Sequence, residues 1–397
     1  MTLSSADKLI LSSIKINPSV TELEQLNSLI LEVADWNYLT KTIIDRGIAP
    51  LLFKKLPFLT NCSIIPATVR EKLQQTYYIT ISRGTLLLDY FQNIADVFSK
   101  QSISIIALKG VYLSENLYRD IGLRQFSDID LLVHEEDGEK CLIILESMDF
   151  RATSAMKLSK FVSSQFEIVH YTPMVLNGVS IEIHIKLHKK GEKYNLITSE
   201  VWKNAVPVTI NKRNVLALNN NDLLIHLCVH LDKHFQVGKV QFTCLCDITN
   251  MLNENEARFD WGTFTASCQL YKSEEVVFKY LVLVNKHMNA PVPAYVIDKY
   301  NYLLTDEIEQ KFFKYLKGDF GSVSENVSLS AHFYYLKEVT TFSNKVRYLS
   351  GVLLPSKDFL IQRYEIKQPT LVIFYYTLRW LEGIKGVMFH LKNSLKQ

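Results

Sequence analysis

Glycine and proline are scarce in this chain, 14 and 10 residues of 397. So few turn formers favour a largely helical protein with few tight turns. Charge of one sign is also missing. A net charge of +3, from 44 basic and 41 acidic residues, gives the chain as a whole no electrostatic case for nucleic acid. Six cysteines (Cys62, Cys141, Cys228, Cys244, Cys246 and Cys268) sit mostly in apolar helical runs and form no paired framework. Reduced thiols and a cytoplasmic location are expected. The opening Met1-Thr2-Leu3-Ser4-Ser5 lacks a basic region followed by an apolar run, so no secretory signal is expected. The most apolar stretch, Leu371 to Leu378, is too short to span a bilayer and contains Tyr375, Tyr376 and Thr377.

What is present is ordinary globular composition, 48% apolar and 21% charged, in a chain long enough for two or three domains. Residues 1–100 show helical periodicity, as in Leu87, Leu88, Phe91, Ile94 and Phe98, and read as a helical N-terminal region. Residues 101–218 alternate between α and β. Ser104 to Leu108 reads as a strand ending in Lys109-Gly110, followed by a helix from Val111 to about Arg119. A second helix is predicted from Asp137 to Ser147. Strands are predicted over 168–171 and 179–187, with Asn177-Gly178 as a hairpin turn. Asn219-Asn220-Asn221-Asp222 is an N-cap cluster opening a helical region, 219–397, broken at Pro291 and Pro293. The last residues, from Trp380 through Ile384, Met388 and Leu395, oppose an apolar face to Lys385, Lys392 and Lys396, as a core-capping or surface-lying helix would.

The most informative segment is Ser127-Asp128-Ile129-Asp130-Leu131-Leu132-Val133. In a strand, residues i and i+2 share a face, so Asp128 and Asp130 project together, away from Ile129, Leu131 and Val133. Adjacent carboxylates repel unless a cation lies between them, and hard oxygen ligands suit Mg²⁺ or Mn²⁺. In Ile181-Glu182-Ile183-His184-Ile185-Lys186-Leu187-His188 the alternation is strict, so Glu182 and His184 share the polar face. Glu182 is the candidate third metal ligand, and His184 a candidate pocket residue. Lys109-Gly110 at a strand-to-helix junction suits a phosphate: glycine allows close approach, the helix N-terminus favours an anion and Lys109 adds a charge. Arg124 and Ser127 are further candidates for the triphosphate. His226, His230 and His234 recur at intervals of four ahead of Asp247. They suit either a metal-dependent phosphohydrolase site or, for His230 together with Lys233, a helix facing a nucleotide cleft.

Taken together, Leu108-Lys109-Gly110, Ser127 to Val133 and Glu182-Ile183-His184 resemble the DNA polymerase β-like nucleotidyltransferase superfamily. More closely they resemble its uncharacterised bacterial branch, a similarity extending over Leu117-Tyr118 and Leu223 through Asp247. The resemblance implies an α+β fold, with a small mixed sheet and helices flanked by helical regions. It also implies metal-dependent transfer of a nucleoside monophosphate from an NTP, ATP by default, to a hydroxyl-bearing acceptor. Asp128, Asp130 and Glu182 would hold the metal; Lys109, Gly110, Arg124, Ser127, His184, His230 and Lys233 would surround the nucleotide. A small molecule or peptide is favoured as acceptor over nucleic acid. Where the superfamily usually has a Gly-Ser pair, this chain has Lys109-Gly110-Val111. An inactive nucleotide-binding or interaction protein on the same fold is the alternative, followed by the phosphohydrolase.

Overall fold

The computed structural model describes residues 3–153, 169–188, 194, 196–236, 242–318 and, beyond these, 336, 342–354, 357, 360, 361, 364, 366, 368–381 and 384. The basic face expected at the C-terminus, from Lys385 on, lies outside the described residues, as does Ile168 of an expected strand.

Four helices open the chain: α1 (Ser5–Ser12), α2 (Val20–Glu32), α3 (Trp36–Asp45) and α4 (Ala49–Lys55). The first two begin with reciprocal capping boxes, Ser4 with Asp7 and Ser19 with Glu22. A 34-residue helix, α5 (Ala67–Lys100), follows Pro66, and the stripe Leu87, Leu88, Phe91, Ile94, Ala95 and Phe98 is buried along its second half. Next come β1 (Ile106–Ala107), α6 (Lys109–Asn116), β2 (Asp128–Leu132), α7 (Gly138–Ser147), β3 (Arg151–Ala152), β4 (Met174–Leu176) and β5 (Val179–His184). The chain continues through α8 (Thr198–Asn204), β6 (Val206–Ile210) and β7 (Arg213–Ala217). Helices α9 (Asn220–Gln236), α10 (Phe242–Asn255), α11 (Trp261–Leu270), α12 (Glu274–Met288), α13 (Ala294–Tyr300) and α14 (Asp306–Lys317) then follow. At the start of α9 the Asn219 side chain accepts from the backbone of Asn221 and Asp222, as the cap cluster demands.

The seven strands form one mixed sheet in the order β3-β4-β5-β2-β1-β7-β6. Strands β2 and β5 run parallel, as do β1 and β7, and the other neighbours are antiparallel. The Asn177-Gly178 turn joins β4 to β5 with both residues at positive φ, 50° and 74°. Several boundaries move from the expected ones: β1 has only two residues, α6 starts at Lys109 rather than Val111, and β5 ends at His184. Sequence reading passed over the hairpin β6–β7. Pro207 speaks against a strand, but β6 is the edge of the sheet, where a missing N–H costs no ladder bond.

Strand alternation gives the sheet two unlike faces. Ile129, Leu131, Val133, Ile181, Ile183 and Ile185 pack under α5 and α7 in one core. On the other side, Ile106, Leu108 and Leu132 join a second core, built from α1–α5 together with α9–α14. Helices from both ends of the chain therefore close over the face that carries the acidic side chains. All six cysteines are free, five of them buried. No helix among the described residues is long and apolar enough to cross a membrane.

Candidate active site

The parallel register of β2 and β5 sets Asp128 beside Ser180, Asp130 beside Glu182 and Leu132 beside His184. Two local alternations thus become one polar patch on the helix-covered face. Asp130, Glu182 and His184 form a group whose ligand atoms all lie within 4.8 Å of one another. The His184 Nε2 is 3.3 Å from Asp130 Oδ1 and 3.7 Å from Glu182 Oε2. Two carboxylates and an imidazole converging from one face are a donor set that fits a divalent cation. Asp128 shares the face but stands outside that group, whose third member is the His184 imidazole. Its signal was present, because His184 lies two residues from Glu182 on a strand.

The backbone N–H of Leu108 donates to the carbonyl of Asp130 at 3.0 Å, which pins the start of α6 against the acidic strand. Lys109 takes a left-handed backbone, φ 42°, a conformation that costs a residue with a side chain about 1–3 kcal/mol. Its Nζ is 2.9 Å from Asp130 Oδ2, so the two oxygens of Asp130 face different partners. Gly110 is required by space: a Cβ there would lie 2.8 Å from the Cβ of Phe126 and 3.0 Å from Arg124 Nη1.

Arg124 is anchored from behind. Its Nε and Nη2 donate to the two oxygens of Asp247 at 2.9 and 2.7 Å, and the Tyr118 hydroxyl donates to the same carboxylate at 2.9 Å. The remaining nitrogen, Nη1, is the one that faces Gly110. Ser127 is exposed, its Oγ 3.5 Å from Asp128 Oδ1. On α9, Lys233 Nζ lies 3.1 Å from His188 Nδ1, just past β5. The rings of His226 and His230 are 6.1 Å apart, and both nitrogens of the buried His226 lack a hydrogen-bond partner. Exposed His170, beside β5, approaches Glu182 Oε2 at 3.9 Å. Sequence reading missed it, because a lone histidine before Tyr171 carries no pattern.

The electrostatics divide the carboxylates. Burial alone would raise Asp130, but the Lys109 charge and the His184 hydrogen bond outweigh it and hold the carboxyl well below its usual range. Asp128 and Glu182 are pushed up, first by burial and then by the charge of Asp130. Burial also lowers the pKa of His184, His226 and His230, in His184 against the raising effect of Asp130. The Lys109 charge adds to the lowering of both α9 histidines, which places them within its field. The patch as it stands has one anion matched by Lys109 and two carboxylates under repulsion. A divalent cation relieves that repulsion.

A mixed sheet between helical layers, with an acidic face beside a strand–Lys-Gly–helix junction, is the architecture of a nucleotidyltransferase fold. The chain belongs to the family described as "uncharacterised nucleotidyltransferase", whose profile matches residues 32–289. No curated protein matches the sequence.

Proposed function

We propose that the chain is a metal-dependent nucleotidyltransferase that moves a nucleoside monophosphate from an NTP, ATP by default, to a hydroxyl-bearing acceptor. The observation that carries this reading is the in-register pairing of Asp130 with Glu182 across parallel β2 and β5, beside Lys109-Gly110. Asp128, Asp130, Glu182 and His184 would hold divalent metal, Mg²⁺ or Mn²⁺. The metal would lower the pKa of the attacking hydroxyl and neutralise charge on the triphosphate. The acceptor oxygen bonds to the α-phosphorus, the bond to the bridging α–β oxygen breaks, and pyrophosphate leaves with that electron pair. Glu182, beside the metal, would help to activate the attacking hydroxyl and take up its proton. Gly110 lets the phosphates approach the backbone, Lys109 supplies a point charge, and Arg124 presents Nη1 from its fixed seat on Asp247. Ser127, His230 and Lys233 would line the nucleotide cleft.

The phosphohydrolase alternative loses its acid, because both oxygens of the fully buried Asp247 are taken by Arg124 and Tyr118. Calorimetry with the four common NTPs, with and without Mg²⁺ or Mn²⁺, tests the proposal. Binding that needs the metal and is abolished in Asp128→Asn/Asp130→Asn is expected, with label transfer from the α-phosphate following once an acceptor is supplied. Failure of the wild-type chain to bind any NTP overturns it.

A further inference from the structure

The group formed by Asp130, Glu182 and His184 has a composition that distinguishes between metals. Three features of it are independent of any assumed reaction. First, the separations from the imidazole to the two carboxylates have the length of ligand–ligand edges, although the one to Asp130 also serves as a hydrogen bond. Two ligands of one ion at bond lengths of about 2.0–2.2 Å are about 3.0–3.7 Å apart for angles between a right angle and a trigonal one. His184 Nε2 stands 3.3 Å from Asp130 Oδ1 and 3.7 Å from Glu182 Oε2. Second, Lys109 occupies the other oxygen of Asp130, Oδ2, and leaves Oδ1 turned toward the group. Third, His184 is buried and lies two residues after Glu182 on the same strand, so the two side chains share one face of the sheet.

Building on the nucleotidyltransferase reading, we infer that His184 is a direct metal ligand and that the site it completes takes a divalent transition metal in preference to Mg²⁺. Mg²⁺ requires near-octahedral oxygen coordination and keeps its waters. An imidazole donor suits Fe²⁺, Ni²⁺, Cu²⁺ and Zn²⁺, and raises affinity for every first-row ion over an all-oxygen set, so Mn²⁺ serves as the paramagnetic probe of the site.

Pulsed electron paramagnetic resonance of the full chain with MnCl₂, without nucleotide, tests this directly. A ¹⁴N modulation from a directly bound imidazole is expected, converted to the ¹⁵N pattern when the protein is grown with ¹⁵N-histidine. It should vanish in His184→Gln and survive in His170→Gln. Titration should show Mn²⁺ affinity falling about 10–100-fold in His184→Gln, and Mg²⁺ displacing bound Mn²⁺ only in large excess. The isotope experiment needs no substitution, so a variant that fails to fold leaves the test intact. Bound Mn²⁺ with no nitrogen modulation, or equal competition by Mg²⁺, overturns the inference while nucleotidyl transfer stands. If Mn²⁺ and every NTP alike fail to bind, both fall together.

Discussion

Asp247 seats Arg124 beside Gly110, and replacing Asp247 by asparagine measures what that pairing is worth. The two side chains are 7% and 0% exposed and meet through two hydrogen bonds of 2.9 and 2.7 Å. Burial would lower Arg124, but Asp247 outweighs it, so the guanidinium stays charged in the folded protein. Removing one partner of a buried pair leaves the other charge uncompensated, a loss of about 3–5 kcal/mol. The substituted amide keeps an acceptor for Tyr118 and removes the charge, so Asp247→Asn should lose about that amount in urea unfolding at pH 7. The double variant Arg124→Met/Asp247→Leu should recover most of it, because both desolvation costs vanish with the charges. Arg124 Nη1 also lies against Gly110, so loosening the anchor should weaken Mg·ATP binding about tenfold. An Asp247→Asn protein within about 1 kcal/mol of wild type would refute the reasoning, since no uncompensated charge would then be buried.

Gly110→Ala places a methyl 2.8 Å from Phe126 and 3.0 Å from Arg124 Nη1. It should cost about 1–3 kcal/mol in urea unfolding and reduce NTP affinity in calorimetry. Lys109→Met frees Asp130 Oδ2 of its 2.9 Å partner; metal alone should bind more tightly and NTP about tenfold more weakly by calorimetry. Lys55 is buried, its amine donating to the carbonyls of Ser13 and Leu51 at 2.9 and 3.0 Å, and burial lowers its pKa from 10.5 to about 7. Because the unfolded chain then binds the extra proton between about pH 7 and 10.5, stability should rise with pH across that window. The slope is at most about 1.4 kcal/mol per pH unit. Urea midpoints measured from about pH 7 to about pH 9 should show the rise, and Lys55→Met should flatten it.

The polar patch was legible to the extent that it is local. Period-two alternation is a property of neighbours along the chain, so Asp128 with Asp130, and Glu182 with His184, could be assigned to common faces without a partner strand. The turn at Asn177-Gly178 and the cap at Asn219 were readable for the same reason: the groups they satisfy lie within three residues. The tertiary structure decided what alternation leaves open. It chose the register that sets Asp130 level with Glu182, brought Lys109 onto Asp130, and closed Arg124 on Asp247 across 123 positions. It admitted Pro207 to a strand by placing that strand at the edge, and it closed helices from both ends over the acidic face. Periodicity and capping are set by a residue's immediate neighbours. Register, buried charge pairs and the meeting of Asp130 with Glu182 and His184 follow from burial and charge compensation summed over segments that meet only when the chain has folded.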